Sequence, residues 1–194
     1  MDSVEISEAG SPQKLRKVKR VSNRRRSAAS GSGVARLLLR GSLGATMIAH
    51  GVRHGKSIEG TAGWFESIGF RSPKMQAMLS SGMEVGAGAA LITGMATPLA
   101  ASAVVGTMAV AGHTVHKPNG FFITDEGYEY VMVIGVAAVA LGALGPGRLS
   151  VDRLLGLHDR GTGVGRAAFV AGLGLAGAAA QLKTFWRRPA ARPA

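Results

Sequence analysis

The stretch TPLAASAVVGTMAVAGHTVH, residues 97–116, decides the fold. It is a run of about twenty mostly apolar residues, the length a helix needs to cross a bilayer. Thr97 and Pro98 open it as a helix cap followed by proline in the first turn. Only a tight link separates it from an earlier apolar run at 74–95. After it, the polar segment KPNGFFITDEG (117–127) leads to a further run at 127–144, which Gly145-Pro146-Gly147 stops. Two more runs complete the set, VARLLLRGSLGATMIAHGVRH at 34–54 and GRAAFVAGLGLAGAAAQLKTFW at 165–186. Abundant Gly and Ala suit close helix packing in lipid. A soluble Ala/Gly-rich bundle should show a polar face on each helix, and these runs show none. The chain reads as an all-α membrane protein. A four-helix transmembrane bundle occupies 34–145, and a fifth transmembrane helix lies at 165–186.

The flanks are different in kind. Lys14, Arg16, Lys17, Lys19, Arg20, Arg24, Arg25 and Arg26 supply much of the net charge of +12, just ahead of the first apolar run. Beside a membrane helix such a block is an inside-facing anchor near anionic lipid rather than a nucleic-acid contact. With the linker SAASGSG after it, residues 1–33 read as a disordered basic cytoplasmic tail. The first apolar run is long, holds Arg40 and His50, and lacks a small-x-small cleavage site, so it reads as an uncleaved span rather than a signal peptide. The expected location is the bacterial inner membrane, multi-pass, with the N-terminus cytoplasmic. Residues 146–164, with LSVDRLLGLHDR, read as an amphipathic cytoplasmic connection that places Arg148, Arg153, Arg160 and Arg166 inside. A fifth span then leaves Lys183, Arg187, Arg188 and Arg192 outside, against the usual charge bias. A Pro/Arg tail closes the chain at 187–194. The cluster Trp64, Phe65, Ile68 and Phe70 in residues 55–73 reads as a short interfacial helix.

The chain has no cysteine, which excludes disulfide exchange, thiolate metal sites and iron–sulfur ligation. No Ser-His-Asp or Walker-type arrangement is present, and Gly161-Thr162-Gly163-Val164-Gly165 follows no strand, so it is not a nucleotide loop.

An ionisable residue inside a span is costly and faces the bundle interior. Arg40, His50, Glu84 and His113 are such residues. At about 1.5 Å per residue, Arg40 falls roughly 9 Å above the inner boundary, Glu84 near mid-span, and His50 with His113 together in the outer half. His54, His116, Tyr128, Glu129 and Tyr130 crowd above them, and Arg40 and Glu84 approach each other below if their helices neighbour. Several readings of this layer stand side by side. One is a hydrogen-bond network with Arg40–Glu84 as a neutralising pair. Others are a quinone headgroup site, axial haem ligation by His50 and His113, a metal at His50/His54, and a proton or solute path. Gly82, Gly86, Ala90 and Gly94 form a smooth stripe for packing within the bundle or for self-association.

Five segments together resemble the DoxX family: LLLRGSLGATMIAHGVRHGK, WFESIGF, SSGMEVGAGAALITGM, HTVHKPNGFFITDEGYEYVMVIG and LGPGRLSVDRLLG, spanning about 35–156. The Arg- and Ala-rich composition fits an actinobacterial type. The resemblance implies a four-helix membrane core associated with thiosulfate:quinone oxidoreductase-type and oxidative-stress complexes. The polar positions it carries are Arg40, His50, Glu84, Asn119, Tyr128 and Glu129, beside which His113 and His116 complete the expected cluster. The expected role is an integral membrane subunit of a redox or oxidative-stress-defence complex, not a stand-alone enzyme, that anchors partners and holds a quinone. The other reading is a non-catalytic scaffold or assembly subunit of an envelope or respiratory complex. Lipid, other membrane redox proteins and a second copy of the chain are the expected partners. Quinone is the favoured cofactor and haem a lesser one. No metal site and no nucleic acid are expected.

Overall fold

The computed structural model describes residues 12–157 and 161–189, with side chains from residue 31 onward. The helices are α1 (Pro12–Gly55), α2 (Ile58–Ser67), α3 (Pro73–Thr93), α4 (Thr97–Ala111), α5 (Glu129–Leu144), α6 (Val151–Leu154) and α7 (Gly163–Phe185). A π-helical turn at Gly112–His116 prolongs α4. Among the described residues the only strand-like pairing is an isolated antiparallel bridge between Phe70 and Trp186. The chain divides after Ala35, with Arg36 onward forming a compact unit of its own. Residues 12–33 are helical rather than disordered, which corrects the expectation for the tail. Proline at the start and a run of Lys and Arg, all good helix formers, account for it. Residues 1–11 and 190–194 of the expected tails, and Arg160, lie outside the described residues.

Within the unit from Arg36, glycines set the closest approach. A Cβ at Gly44 would stand 2.7 Å from the Gly88 carbonyl oxygen, and one at Gly51 would stand 2.8 Å from that of Ser81. Contacts 44–88 and 51–81 make α1 and α3 antiparallel, with their backbones touching. Only half of the stripe expected for this packing is in contact, Ala90 against the core and Gly94 against Arg40 and Ser150. Gly82 and Gly86 meet nothing within 4 Å, whereas Gly88, on another face, does the work. Contacts Gly112–Val131 and Gly135–Met108 make α4 and α5 antiparallel, and Gly142–Val170 with Gly163–Ala143 does the same for α5 and α7. All five long helices supply the main core, with Leu43 and Met47 from α1, Leu91 from α3, Val104 from α4, Leu141 from α5 and Val170 from α7.

One end of the bundle is closed by arginines. Helix C-termini leave carbonyls without partners, and in a low-dielectric setting each must be satisfied. Arg40, 3% exposed, donates to Leu91 O (2.8 Å), Ile92 O (2.7 Å), Pro146 O (3.0 Å) and Leu149 O (2.5 Å). It therefore caps α3 and ties it to the segment after α5. Arg166 donates to Gly142 O and Ala143 O, and Arg36 to Leu144 O, capping α5. At the neighbouring N-terminus of α4, the buried carboxylate of Asp152 accepts from Ala96 N (2.7 Å) and Thr97 N (2.9 Å). The expected cap by Thr97 is thus replaced by a residue of α6, and Thr97 Oγ1 has no hydrogen bond. The amphipathic segment LSVDRLL is a plug of caps.

Candidate functional site

The opposite end holds the chemistry. A cavity of about 550 Å³ lies between the end of α1, α2, the middle of α3, the π turn and the start of α5. Its ionisable lining is His50, Arg53, His54, Glu84, His116, Glu126 and Tyr130. On its wall His54 Nδ1 and Glu84 Oε2 stand 2.9 Å apart, and neither atom has a hydrogen bond to any other group. Two lone pairs at that distance would repel, so a proton on Nδ1 donates to the carboxylate. Ser80 Oγ donates to the other oxygen of Glu84 at 3.0 Å. The Glu84 side chain is 5% exposed and that of His54 is 21%, so the pair sits where water gives way to protein. Trp64 stacks on His54 at 6.2 Å, and His50 meets its edge at 6.3 Å.

Behind this wall is a second cavity of about 250 Å³, sharing His54, Trp64, Glu84, Thr107, Ala111 and Val115 with the first. Gln181 of α7 donates to Gln76 of α3 across it at 2.8 Å. Gln76 is buried, and its amide nitrogen has no partner. The α7 helix is held here by the last residues of the chain's apolar run. Trp186 Nε1 donates to Ile68 O (2.8 Å) and Arg187 N to Gly69 O (2.9 Å). Gly69 has φ +96, and a Cβ there would lie 1.9 Å from Arg187 O. Only glycine fits that crossing.

The expected cluster is redistributed. Arg40 is at the far end among carbonyls, so the Arg40–Glu84 pair does not exist and His54 takes its place. The α1–α3 register, set at Gly44–Gly88 and Gly51–Ser81, brings Glu84 level with about Ile48, within reach of His54 and roughly 12 Å along α1 from Arg40. His50 and His116 line the cavity, but His113 turns away and meets Trp186 at 5.1 Å. On an α-helix residues three apart are neighbours. The π turn adds about one residue to the turn, which separates His113 from His116. His50 and His113 therefore do not face one another as axial ligands must. Among the described residues no three His, Asp or Glu side chains gather as a metal site.

Asn119, Tyr128 and Glu129 fold the connection itself. Asn119 Nδ2 reaches Val115 O at 3.4 Å, Glu129 Oε2 accepts from Ile123 N at 3.1 Å, and Tyr128 packs edge-on to Phe121. Sequence reasoning passed over Arg53, Glu126 and Gln76. It noted His54, Trp64 and Tyr130 without giving them the central place. The i, i+4 spacing of His50 and His54 was the available signal for that face.

The α4 helix with its extension (Thr97–Asn119) and α7 are each long and apolar enough to cross a membrane. The described residues are helical almost throughout, and these two helices, together with the family match that follows, make this a membrane protein. Residues 35–117 match the DoxX family model. The match holds Arg40, His50, His54, Glu84, His113 and His116 and stops before Asn119, Tyr128 and Glu129. The resemblance seen over 118–156 therefore lies outside it. No curated protein and no solved structure matches the chain.

Proposed function

We propose that the protein is a multi-pass inner-membrane subunit of a redox or oxidative-stress-defence assembly, with a quinone headgroup held at the His54–Glu84 wall. The observation that carries this reading is the buried His54–Glu84 pair, shared by two cavities and roofed by aromatic rings. A quinone carbonyl needs a hydrogen-bond donor and, on reduction, a proton. His50, Tyr130 and the proton between His54 and Glu84 are groups of that kind at one polar opening. The helices α1 from about residue 34, α3, α4, α5 and α7 would cross the membrane, with the arginine-capped end and the basic segment 14–26 on the cytoplasmic side. That basic segment would anchor partner proteins.

The test is organic extraction and mass analysis of the gently purified protein. Near-stoichiometric quinone that is lost in His54→Gln, with the helical spectrum unchanged, supports the reading. Quinone-free protein, or quinone retained equally by the variant, overturns it. Sidedness is tested with Ser57→Cys and Ser150→Cys, since the chain has no cysteine of its own. An impermeant maleimide should label the first from outside and the second only after the membrane is opened.

A ligand-free scaffold is the second reading, and the open stripe at Gly82 and Gly86 favours it. Helices in lipid associate through such small-residue faces. Partner chains or a second copy that co-purify and are lost in Gly86→Leu, with no extractable quinone, would select it.

A further inference from the structure

An open trough runs along the other side of α4. It measures about 760 Å³ and lies between α4, α5 and α7. Small residues make it. Ala109 and Gly112 on α4, Gly135 and Ala140 on α5, and Ala171 on α7 leave the space that larger side chains would fill. A Cβ at Gly135 would meet only Met108, at 3.9 Å. The floor is apolar from Ala143 up to Val131. Measured along α5 from Tyr128 to Ala143, the trough is about 22 Å long. That exceeds the roughly 15 Å depth of hydrocarbon in one leaflet, half of the bilayer's apolar thickness.

The mouth differs. His113 and Lys117 line the trough and also line a second recess with Ser67, Trp186 and Arg188. No carboxylate among the described residues lines either space. An apolar channel of lipid length thus opens at one end onto two exposed cations, a histidine and a hydroxyl.

We propose that this trough binds one anionic phospholipid, its acyl chain along α5 and its phosphate between Lys117 and Arg188. The shape accepts any acyl chain, so the charge at the mouth sets the choice of headgroup. Cations that the sequence leaves on the outward side, against the usual bias, thereby gain a role. The trough shares Met108 and Val131 with the His54–Glu84 cavity but none of its polar groups, so the proposal stands or falls independently of quinone content.

Trp186 at the mouth is the reporter. The full chain carrying Trp64→Phe, in which Trp186 is the remaining tryptophan, is reconstituted in zwitterionic bilayers. Phosphatidylglycerol or phosphatidylcholine, brominated on the acyl carbons nearest the headgroup, is then titrated in. Two cations near the phosphate should make half-quenching by the anionic lipid occur at about tenfold lower mole fraction. Lys117→Gln/Arg188→Gln should remove that preference. Gly135→Leu, which fills the trough where a side chain has room, should weaken quenching by the anionic lipid with the helical spectrum retained. Equal quenching by both lipids, or a preference that survives the double variant, overturns the proposal. So does loss of the preference on adding inorganic phosphate to a Gly135→Leu protein that quenches normally, which would mean a site for free anion alone.

Discussion

Replacing Arg40 with methionine tests what the buried charge is for. Arg40 donates to four carbonyls at 2.5 to 3.0 Å, of which Leu91 O also accepts from Gly94 N at 3.1 Å. A hydrogen bond to a charged group contributes about 1.5–3 kcal/mol, and an abandoned buried acceptor costs about 1–3 kcal/mol. Water entering at the helix ends would recover part of this, so about 4–6 kcal/mol is the expected loss. Methionine keeps the apolar stem and limits the packing defect. Against a domain stability of about 5–15 kcal/mol, the variant should accumulate poorly and unfold at much lower denaturant. Arg40→Lys should fall between, because three donors on a point cannot reproduce the planar fork. The assay is equilibrium unfolding in mixed micelles with rising SDS, followed by helical circular dichroism. A double-mutant cycle with Glu84→Gln gives the sharper result. Glu84 is seven residues along α3 from Leu91, about 10 Å, and shares no partner with Arg40. The two changes should add to within about 0.5 kcal/mol. A coupling above about 1 kcal/mol would mean that Arg40 does neutralise Glu84, and the assignment of its charge to the carbonyls would be wrong.

Other changes have distinct signatures. Glu84→Ala should cost about 2–3 kcal/mol because it strands the His54 proton in a buried position. His116→Ala should cost less than about 1 kcal/mol, since its one bond, to Glu126 O at 2.7 Å, is at the rim. Thermal unfolding of the purified variants compares the two, and equal losses would remove the special status of the His54–Glu84 pair. Asp152→Ala should destabilise by about 1–2 kcal/mol through loss of the α4 cap, and Thr97→Ala by much less. The reverse order in the same melts would return the cap to Thr97. Gly69→Ala should detach the end of α7, through a positive φ and a direct clash with Arg187 O. Limited proteolysis after Lys183 is the readout, and unchanged protection would count against the crossing.

The positions of the long helices were legible because apolar runs begin and end at punctuation the chain cannot ignore, such as Thr97-Pro98 and Gly145-Pro146-Gly147. The partners of the polar residues were not. A helical rise locates Arg40 and Glu84 in depth on separate helices, but whether they meet depends on a register fixed by Gly44 against Gly88. That contact is invisible until the backbones are packed. The same holds for Asp152, which caps a helix starting 55 residues earlier in the chain, and for Gln76, whose partner is on α7. His113 was misplaced for a local reason. A π turn has no sequence signature as clear as proline, and one residue of extra winding carries the side chain to another face.

These misreadings share a direction. Ionisable residues of a membrane chain were paired with each other first, as if charge were the scarce resource. In this fold the scarce resource at one end is hydrogen-bond donors for helix carbonyls, which Arg36, Arg40 and Arg166 supply. That leaves Glu84 without a fixed cation. Among the described residues it is served by Ser80 and His54, and Arg53, the one arginine lining that cavity, is not paired with it. The carbonyl-capping arginines and the His54–Glu84 pair thus stand at opposite ends of the same bundle.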